Sequence, residues 1–429
     1  MVLNYIWIAF FLIGFVVALF RVAGYAFRDF FLSQFHLVFS AADRDVFSAI
    51  VQSTFDMAKT SVEISIYLIG VMTLWLGIMK IGEKGGAVTG LSRLVNPFFS
   101  RIFPGIPKNH PAMGSILMNF SANMLGLDNA ATPFGLKAMR ELQEVNPDKE
   151  KASDSQIMFI VLNTSGLTII PISILAMRVA CGAKVPTDIF VPLILATYFS
   201  TMAGLIYVSI RQRINLLNKL VLAYLGGITT FIAGIIWYLS RLPQPMVETR
   251  TGLAGNFILF FVIILFITLG IRKKINLYET FIEGAKEGFD IAIRIIPYLV
   301  AMLVAVGVFR ASGSFDFLMQ GIGGFFALFG VDTRFVDAMP VAFMKPLSGS
   351  GARGLMVETM KHFGPDSFPG RLACIFQGST ETTFYTVAVY YGAVNIRNTR
   401  YTVPGGLIAD LAGVVAAIFI AYLFFAATA

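Results

Sequence analysis

The sequence predicts an all-α polytopic membrane protein of transporter-like architecture, with two inverted structural repeats and re-entrant or broken helices. Three observations carry that expectation. Of the 429 residues, 56% are hydrophobic and 14% charged, with a mean hydropathy of +0.75, a balance that belongs to membrane spans and not to one large soluble core. A module also recurs: Ala58, Lys59, Ile64, Ile66, Ile69, Gly86, Leu91, Phe98, Phe99 and Ser121 reappear 227 positions later as Ala285, Lys286, Ile291, Ile293, Ile296, Gly313, Leu318, Phe325, Phe326 and Ser348. Each copy, finally, carries a polar, glycine-rich break inside an apolar stretch. Internal repeats of this kind are a recurring plan of secondary transporters.

In chain order, apolar segments near 3–22, 62–80, 156–181, 187–210, 217–240, 252–271, 289–309, 370–394 and 403–426 predict about nine full spans of roughly 20 residues each. The opening MVLNYIWIAFFLIGFVVALF has no basic n-region and no small-residue cleavage site, so a retained first helix is expected. Between the first two spans, residues 24–61 interleave aromatics with Arg28, Asp29 and His36, which predicts an amphipathic helix on the membrane interface.

The net charge of +8 resides mostly in short connections between apolar runs, so membrane topology explains it and no nucleic-acid partner is expected. Arg211, Arg213 and Lys219 fill one loop and Arg272, Lys273 and Lys274 another, against a sparser loop with Arg241 and Arg250. Placing the two denser loops in the cytoplasm makes 137–154 cytoplasmic and sends the spans at 62–80 and 289–309 in opposite directions. The two copies are then inverted about an axis in the membrane plane.

The polar breaks mark the expected site. In the first copy the break runs from Ser121 to Gly135, with Ser121, Asn123, Asp128, Asn129 and Thr132 as candidate substrate ligands. In the second it runs from Lys345 to Gly354, with Lys345, Ser348, Ser350 and Arg353. Gly and Pro free backbone polar groups that hydrocarbon cannot satisfy, so these segments are expected to be buried in protein and to line an aqueous cavity. Half-helix N-termini there offer N–H groups to an anion and C-termini offer carbonyls to a cation.

A second break follows in each copy. Asn163, Thr164, Ser165 and Thr168 interrupt one apolar span, and Gln377, Ser379, Thr380, Glu381, Thr382 and Thr383 interrupt the other. Glu381 stands out, because an acidic residue inside a span costs about 2.5–3.5 kcal/mol and faces the bundle interior with a partner. Proton coupling, cation binding and pairing with Lys345 or Arg353 are its functional readings; a buried structural ion pair is the alternative. Lys345 and Arg353 fit an anionic substrate group, or else interface snorkelling or structural pairing. Asp128 with Asn123 and Asn129 fits a ligand set or an Asx turn.

Other signals point away from chemistry. His110 reads as a loop residue, and Cys181 and Cys374 as structural or incidental. Gly349, Gly351 and Gly354 spell GxGxxG without a βαβ context, and the sequons at Asn119 and Asn163 lie within membrane segments. No nucleophile elbow, HExxH or phosphate-binding GK[ST] loop is present. No enzymatic activity, cofactor or metal is therefore expected.

On longer runs the chain resembles a fusion of the bacterial spore maturation proteins A and B, of the nucleoside recognition or gate domain group. The first part resembles A through LIGVMTLWLGIMKIGEKGG and HPAMGSILMNFSANMLGLDNAATPFGLKAM. The last part resembles B through EGAKEGFDIAIRIIPYLVAMLVAVGVFRASG, KPLSGSGARG, FGPDSFPGRLACIFQGSTETTFYTVAVYYGA and TRYTVPGGLIADLAGV. That group is similar to parts of concentrative nucleoside transporters and of the ferrous-iron transporter B membrane domain. The resemblance implies a transporter-like protein of the bacterial cytoplasmic membrane, connected in spore formers with dehydration of the spore core. It implies no particular solute.

The expected division is an A-like repeat over 1–190 with its gate domain at about 58–181, connecting helices over 191–276, and a B-like repeat over 277–429 with its gate domain at about 285–394. The expected function is secondary-active transport of a small polar or anionic solute by alternating access, with Glu381 coupling a proton or cation. A non-transporting membrane scaffold or regulator that keeps the fold is the alternative. The bilayer is the expected partner, and a homo-oligomer stays open.

Overall fold

Arg21, near the end of an apolar helix, sets the first corner of the fold. It closes α1 (Val2–Ala26) against the next turns by bonding Asp43 at 2.6 Å, and it donates to the Ser312 carbonyl at 3.0 Å. The computed structural model describes residues 2–166 and 168–426, with the side chains of 2, 3, 128–130, 244, 245 and 248 outside that description. α2 (Arg28–Phe35) is short and buries nothing, and α3 (Ala41–Arg44) starts in a capping box between Ser40 and Asp43. α4 (Val46–Gly85) follows at once as one 40-residue rod. The interfacial helix expected over 24–61 is thus confined to α2: no proline interrupts 46–85, so 46–61 joins the span.

Gly86, at φ 89°, ends α4 and turns the chain into α5 (Ala87–Ile102). α6 (Pro111–Met124), with proline at its first turn, and α7 (Asp128–Glu144) form a helical hairpin whose tip is 125–127. α8 (Asp154–Thr164) and α9 (Ile172–Ala180) are two halves of one broken helix. A 3₁₀ turn at Pro186–Ile189 leads into α10 (Phe190–Gln212). The largely exposed α11 (Lys219–Ser240) and α12 (Gln244–Arg272) then cross to the second copy.

The second copy repeats the plan. α13 (Leu277–Ala311) ends at Gly313, at φ 86°, which starts α14 (Ser314–Ala327) as Gly86 starts α5. The short α15 (Met339–Met344) and α16 (Gly349–Phe363) meet at a tip over 345–348. α17 (Phe368–Ser379) and α18 (Thr383–Gly392) are again two halves of a broken helix, and α19 (Thr402–Phe425) closes the bundle.

Among the described residues, seven helices are long and apolar enough to cross a membrane. The two other spans expected, at 156–181 and 370–394, are not continuous. Gly166 at φ 63° and Pro171 unwind the first, and Thr380 at φ −145° opens the second. The hydroxyl and amide residues in these stretches compete for backbone partners and stop the ladder.

Two antiparallel helix pairs hold the copies together. In α4 and α13, Met57, Met72 and Leu76 meet Gly307, Gly288 and Gly284 in reverse order. A Cβ at Gly284 or Gly288 would stand 2.3 Å from the Leu76 carbonyl oxygen or 2.5 Å from that of Met72, so glycine is what allows the backbones to touch. In α10 and α19, Gly204 faces Ala409 and Gly413 faces Ser200, also in reverse order.

Each broken helix is clasped at its start by a loop of the other copy. Asp154 at the start of α8 receives Arg400 at 2.7 Å, while Arg397 and Asn398 backbone N–H groups donate to the Glu150 carbonyl at 3.0 Å. At the start of α17, Asp366 and Arg371 join Arg178 and Asp188: Arg178, fully buried, reaches Asp188 at 2.8 Å and Asp366 at 3.0 Å, and Arg371 reaches Asp188 at 2.8 Å. Buried charges are tolerated there because each has a partner.

Candidate functional site

The two unwound segments cross. The Glu381 backbone N–H donates to the Thr164 carbonyl at 2.8 Å, so a half-helix end in one copy satisfies the break in the other. Each hairpin tip is pinned to the broken helix of its own copy by one backbone bond: Ile169 N–H to the Met124 carbonyl at 2.8 Å, and Phe384 N–H to the Pro346 carbonyl at 3.0 Å. Gly126, at φ 73°, is required at the first tip, because a Cβ there would lie 2.4 Å from the Ile170 carbonyl oxygen.

Around this crossing lies a cavity of about 250 Å³. It gathers side chains from both tips and both breaks: Asn123, Thr132, Asn163, Thr168, Lys345, Arg353, Gln377, Thr380 and Glu381. An apolar chamber of about 140 Å³ beside α5, α10 and α11 reaches the same crossing, and Asn123, Asn163, Thr168 and Glu381 line both spaces. Asn123 donates to Asn163 at 2.9 Å, and Asn163 in turn donates to the Phe159 carbonyl at 2.8 Å, which fixes both amides in place.

Three groups in the cavity wall have no hydrogen-bond or ion-pair partner among the described residues: the half-buried Arg353 guanidinium, the exposed Glu381 carboxylate and the Gln377 Oε1. Gln377 is only 5% exposed, so that oxygen is neither solvated nor bonded by protein. Opposite charges that line one space without pairing leave their bonding capacity to whatever enters it. The pairing of Glu381 with Lys345 or Arg353 weighed in the sequence is not made. Lys345 itself is buried at the second tip.

The remaining candidates stand around the cavity and serve its scaffold. Ser348 caps α16 by accepting from the Gly351 N–H at 3.1 Å, with Ser350 at 3.3 Å from it. Ser165 donates to the Leu162 carbonyl at 2.8 Å and stands 3.1 Å from Thr201; Thr164 and Ser379 bond back to Val161 and Phe376. Thr382 is buried against Gly349, and Ser121 is buried with no partner for its hydroxyl among the described residues. The side chains of Asp128 and Asn129 lie outside the described residues. His110 caps α6, accepting from the Ala112 N–H at 3.3 Å. Among the described residues no group of three or more His, Cys, Asp or Glu stands together to hold a metal ion.

The sequence reading passed over Ser173, Tyr385, Thr386 and Tyr390 in the cavity wall, and Asp410 behind it. Asp410, an acid inside the apolar run 403–426, was open to the rule that marked Glu381. The tyrosines carry no comparable signal, since an aromatic in a span is ordinary.

The family described as Gate, nucleoside recognition, matches this chain over residues 65–180 and 292–397. Spore maturation protein B of Bacillus subtilis (strain 168) is 48% identical over 156 residues, 36% of this chain and 86% of that protein. Spore maturation protein A of the same organism is 46% identical over 155 residues, 36% of this chain and 79% of that protein. No solved structure matches.

Proposed function

The chain belongs to the Gate (nucleoside recognition) family, and from that premise we propose that it is a secondary-active transporter of a small polar solute carrying an anionic group. Its two copies are inverted repeats of the bacterial cytoplasmic membrane, divided at about residues 190 and 277 by connecting helices. The antiparallel packing of α4 on α13 supports that inversion, since an axis in the membrane plane reverses equivalent helices.

The observation that carries the reading is the cavity at the crossing, where the Arg353 cation, the Glu381 carboxylate and the Gln377 oxygen have no hydrogen-bond or ion-pair partner among the described residues. Arg353 takes the anionic group of the solute, and Asn123, Asn163 and Thr380 hydrogen-bond its polar body. The site lies between the copies, where rocking of one against the other opens it to alternate sides. A scaffold that had lost transport would gain from filling this space; the cavity argues against that alternative.

Purified protein in liposomes, offered a panel of labelled small organic acids, amino acids and nucleosides under proton or sodium gradients, tests the reading. Uptake of an anionic or zwitterionic solute that is lost in Arg353→Ala is expected. No movement of any solute under any gradient, with correctly folded protein, sinks the proposal.

A further inference from the structure

Behind the cavity, α19 presents Asp410 to the place where the two breaks cross. The residue lies inside a helix of 24 residues otherwise free of charge, and it is 4% exposed. Two glycines bracket it on the same helix face. A Cβ at Gly406 would stand 2.6 Å from Thr383 and 3.2 Å from the Thr164 hydroxyl; one at Gly413 would stand 2.8 Å from Thr380. Both unwound segments therefore rest on α19 at the level of Asp410. α10 brings no charged residue to this level, where Tyr207 faces Gly405, Gly204 faces Ala409 and Ser200 faces Gly413.

The carboxylate is half satisfied. Oδ2 accepts from the Thr383 hydroxyl at 2.7 Å, while Oδ1 makes no hydrogen bond of full geometry among the described residues, with the Thr380 side chain also acting on the carboxylate. The charged groups that act on it through space are Lys345 from the second tip and Glu381 from the break, and neither forms an ion pair with it. A bare anionic oxygen in a membrane interior is costly, and an intramembrane acid with no ion-pair partner among the described residues is a functional-site candidate. A hard metal cation needs several oxygens around it, and Oδ1 has no such shell. A proton needs only the carboxylate.

We propose that Asp410 is the proton-carrying group of this protein. The proton enters from water in the cavity past Thr380, binds Oδ1 while the breaks are apart, and is held there as a neutral acid while they close over it. It leaves to water on the opposite side when the crossing reopens. Glu381, exposed at the cavity wall, is left to meet the solute. The idea rests on the transport reading, yet proton binding at Asp410 is measurable without any solute.

Infrared difference spectra of the protein in lipid vesicles, recorded between acid and alkaline buffer, provide the test. A buried carboxylic C=O band that shifts in heavy water, persists in Glu381→Gln, is lost in Asp410→Asn and moves in Asp410→Glu is expected. Wild-type protein grown with ¹³C-labelled aspartate separates an aspartate band from a glutamate one without a variant, since only an aspartate band moves with the label. A band indifferent to the label, or no band at all, overturns the proposal. So does a carboxylate signal that follows sodium and not pH, which makes Asp410 a cation site. Failure of every solute to move in liposomes sinks the transport reading and leaves these spectra standing.

Discussion

The backbone N–H of Glu381 donates to the carbonyl oxygen of Thr164 at 2.8 Å, joining two segments that lie 217 residues apart in the chain and that both lack helical partners. Each break thereby satisfies the other. Gly166 makes the approach feasible, for it adopts φ 63° and a Cβ there would lie 2.8 Å from the Glu381 nitrogen. Gly166→Ala is expected to cost at least about 1–2 kcal/mol from the left-handed backbone alone, with more from the contact. Thermal unfolding in detergent reads that loss, and an unchanged midpoint refutes the crossing.

The α4–α13 seam depends on Gly284 and Gly288, one turn apart on the face that meets Leu76 and Met72. Gly288→Leu is expected to part the two longest helices of the bundle and to lower expression and melting temperature sharply. A similar change at Gly323, which has open space around it, should be close to neutral. Equal melting temperatures for the two variants contradict the packing.

Arg178 and Arg353 are both arginines near the interior, with opposite expected phenotypes. Arg178 is fully buried and bonds Asp188, Asp366 and three backbone carbonyls, so Arg178→Ala should cost about 3–5 kcal/mol by breaking a buried ion-pair cluster, removing one of the two guanidinium partners of Asp188 and the guanidinium partner of Asp366. Arg353 has no hydrogen-bond or ion-pair partner among the described residues, so Arg353→Ala should leave stability within about 0.5 kcal/mol. Its effect belongs in transport assays. Destabilisation by Arg353→Ala as large as that of Arg178→Ala would show that it is structural.

The α1 corner should be acid-sensitive. Burial raises the Asp43 carboxyl, but the Ser40 N–H and the Arg21 guanidinium outweigh burial and hold it below its ordinary value. A depressed acid stabilises the fold above its unfolded value and loses that contribution as pH falls through the folded one. Protection factors in α2 and α3, measured against the intrinsic exchange rate at each pH, should therefore fall in acid, and Asp43→Asn should show the low protection already at neutral pH. Protection that is flat with pH removes Asp43 from this role.

Much of the fold was legible because a membrane leaves few choices: a long apolar run must be helical, and a polar break must be buried. The seven continuous spans follow from that rule. At 156–181 and 370–394 apolar length suggests two further full spans, but the polar breaks legible inside them, at 163–168 and 377–383, are where the helices unwind. The rule failed at 46–61, whose polar face looks interfacial in isolation but continues α4. At the site, amides and charges in the breaks were visible as composition, whereas the split between cavity wall and scaffold was not. Thr164 and Ser165 turn back to their own helix, and Asn163, beside them, reaches the cavity.

The sequence alone determined the helical membrane class, the duplicated module and the position of its breaks, since these follow from hydropathy and local backbone chemistry. Only tertiary structure decided which polar groups pair. Arg178, Asp188, Asp366 and Arg371 neutralise one another across the two copies, while Arg353, Glu381 and one oxygen of Asp410 are left without a hydrogen bond of full geometry or an ion pair among the described residues. That outcome depends on distances between residues hundreds of positions apart, set by how closely glycine-lined helices approach, and no local pattern encodes it.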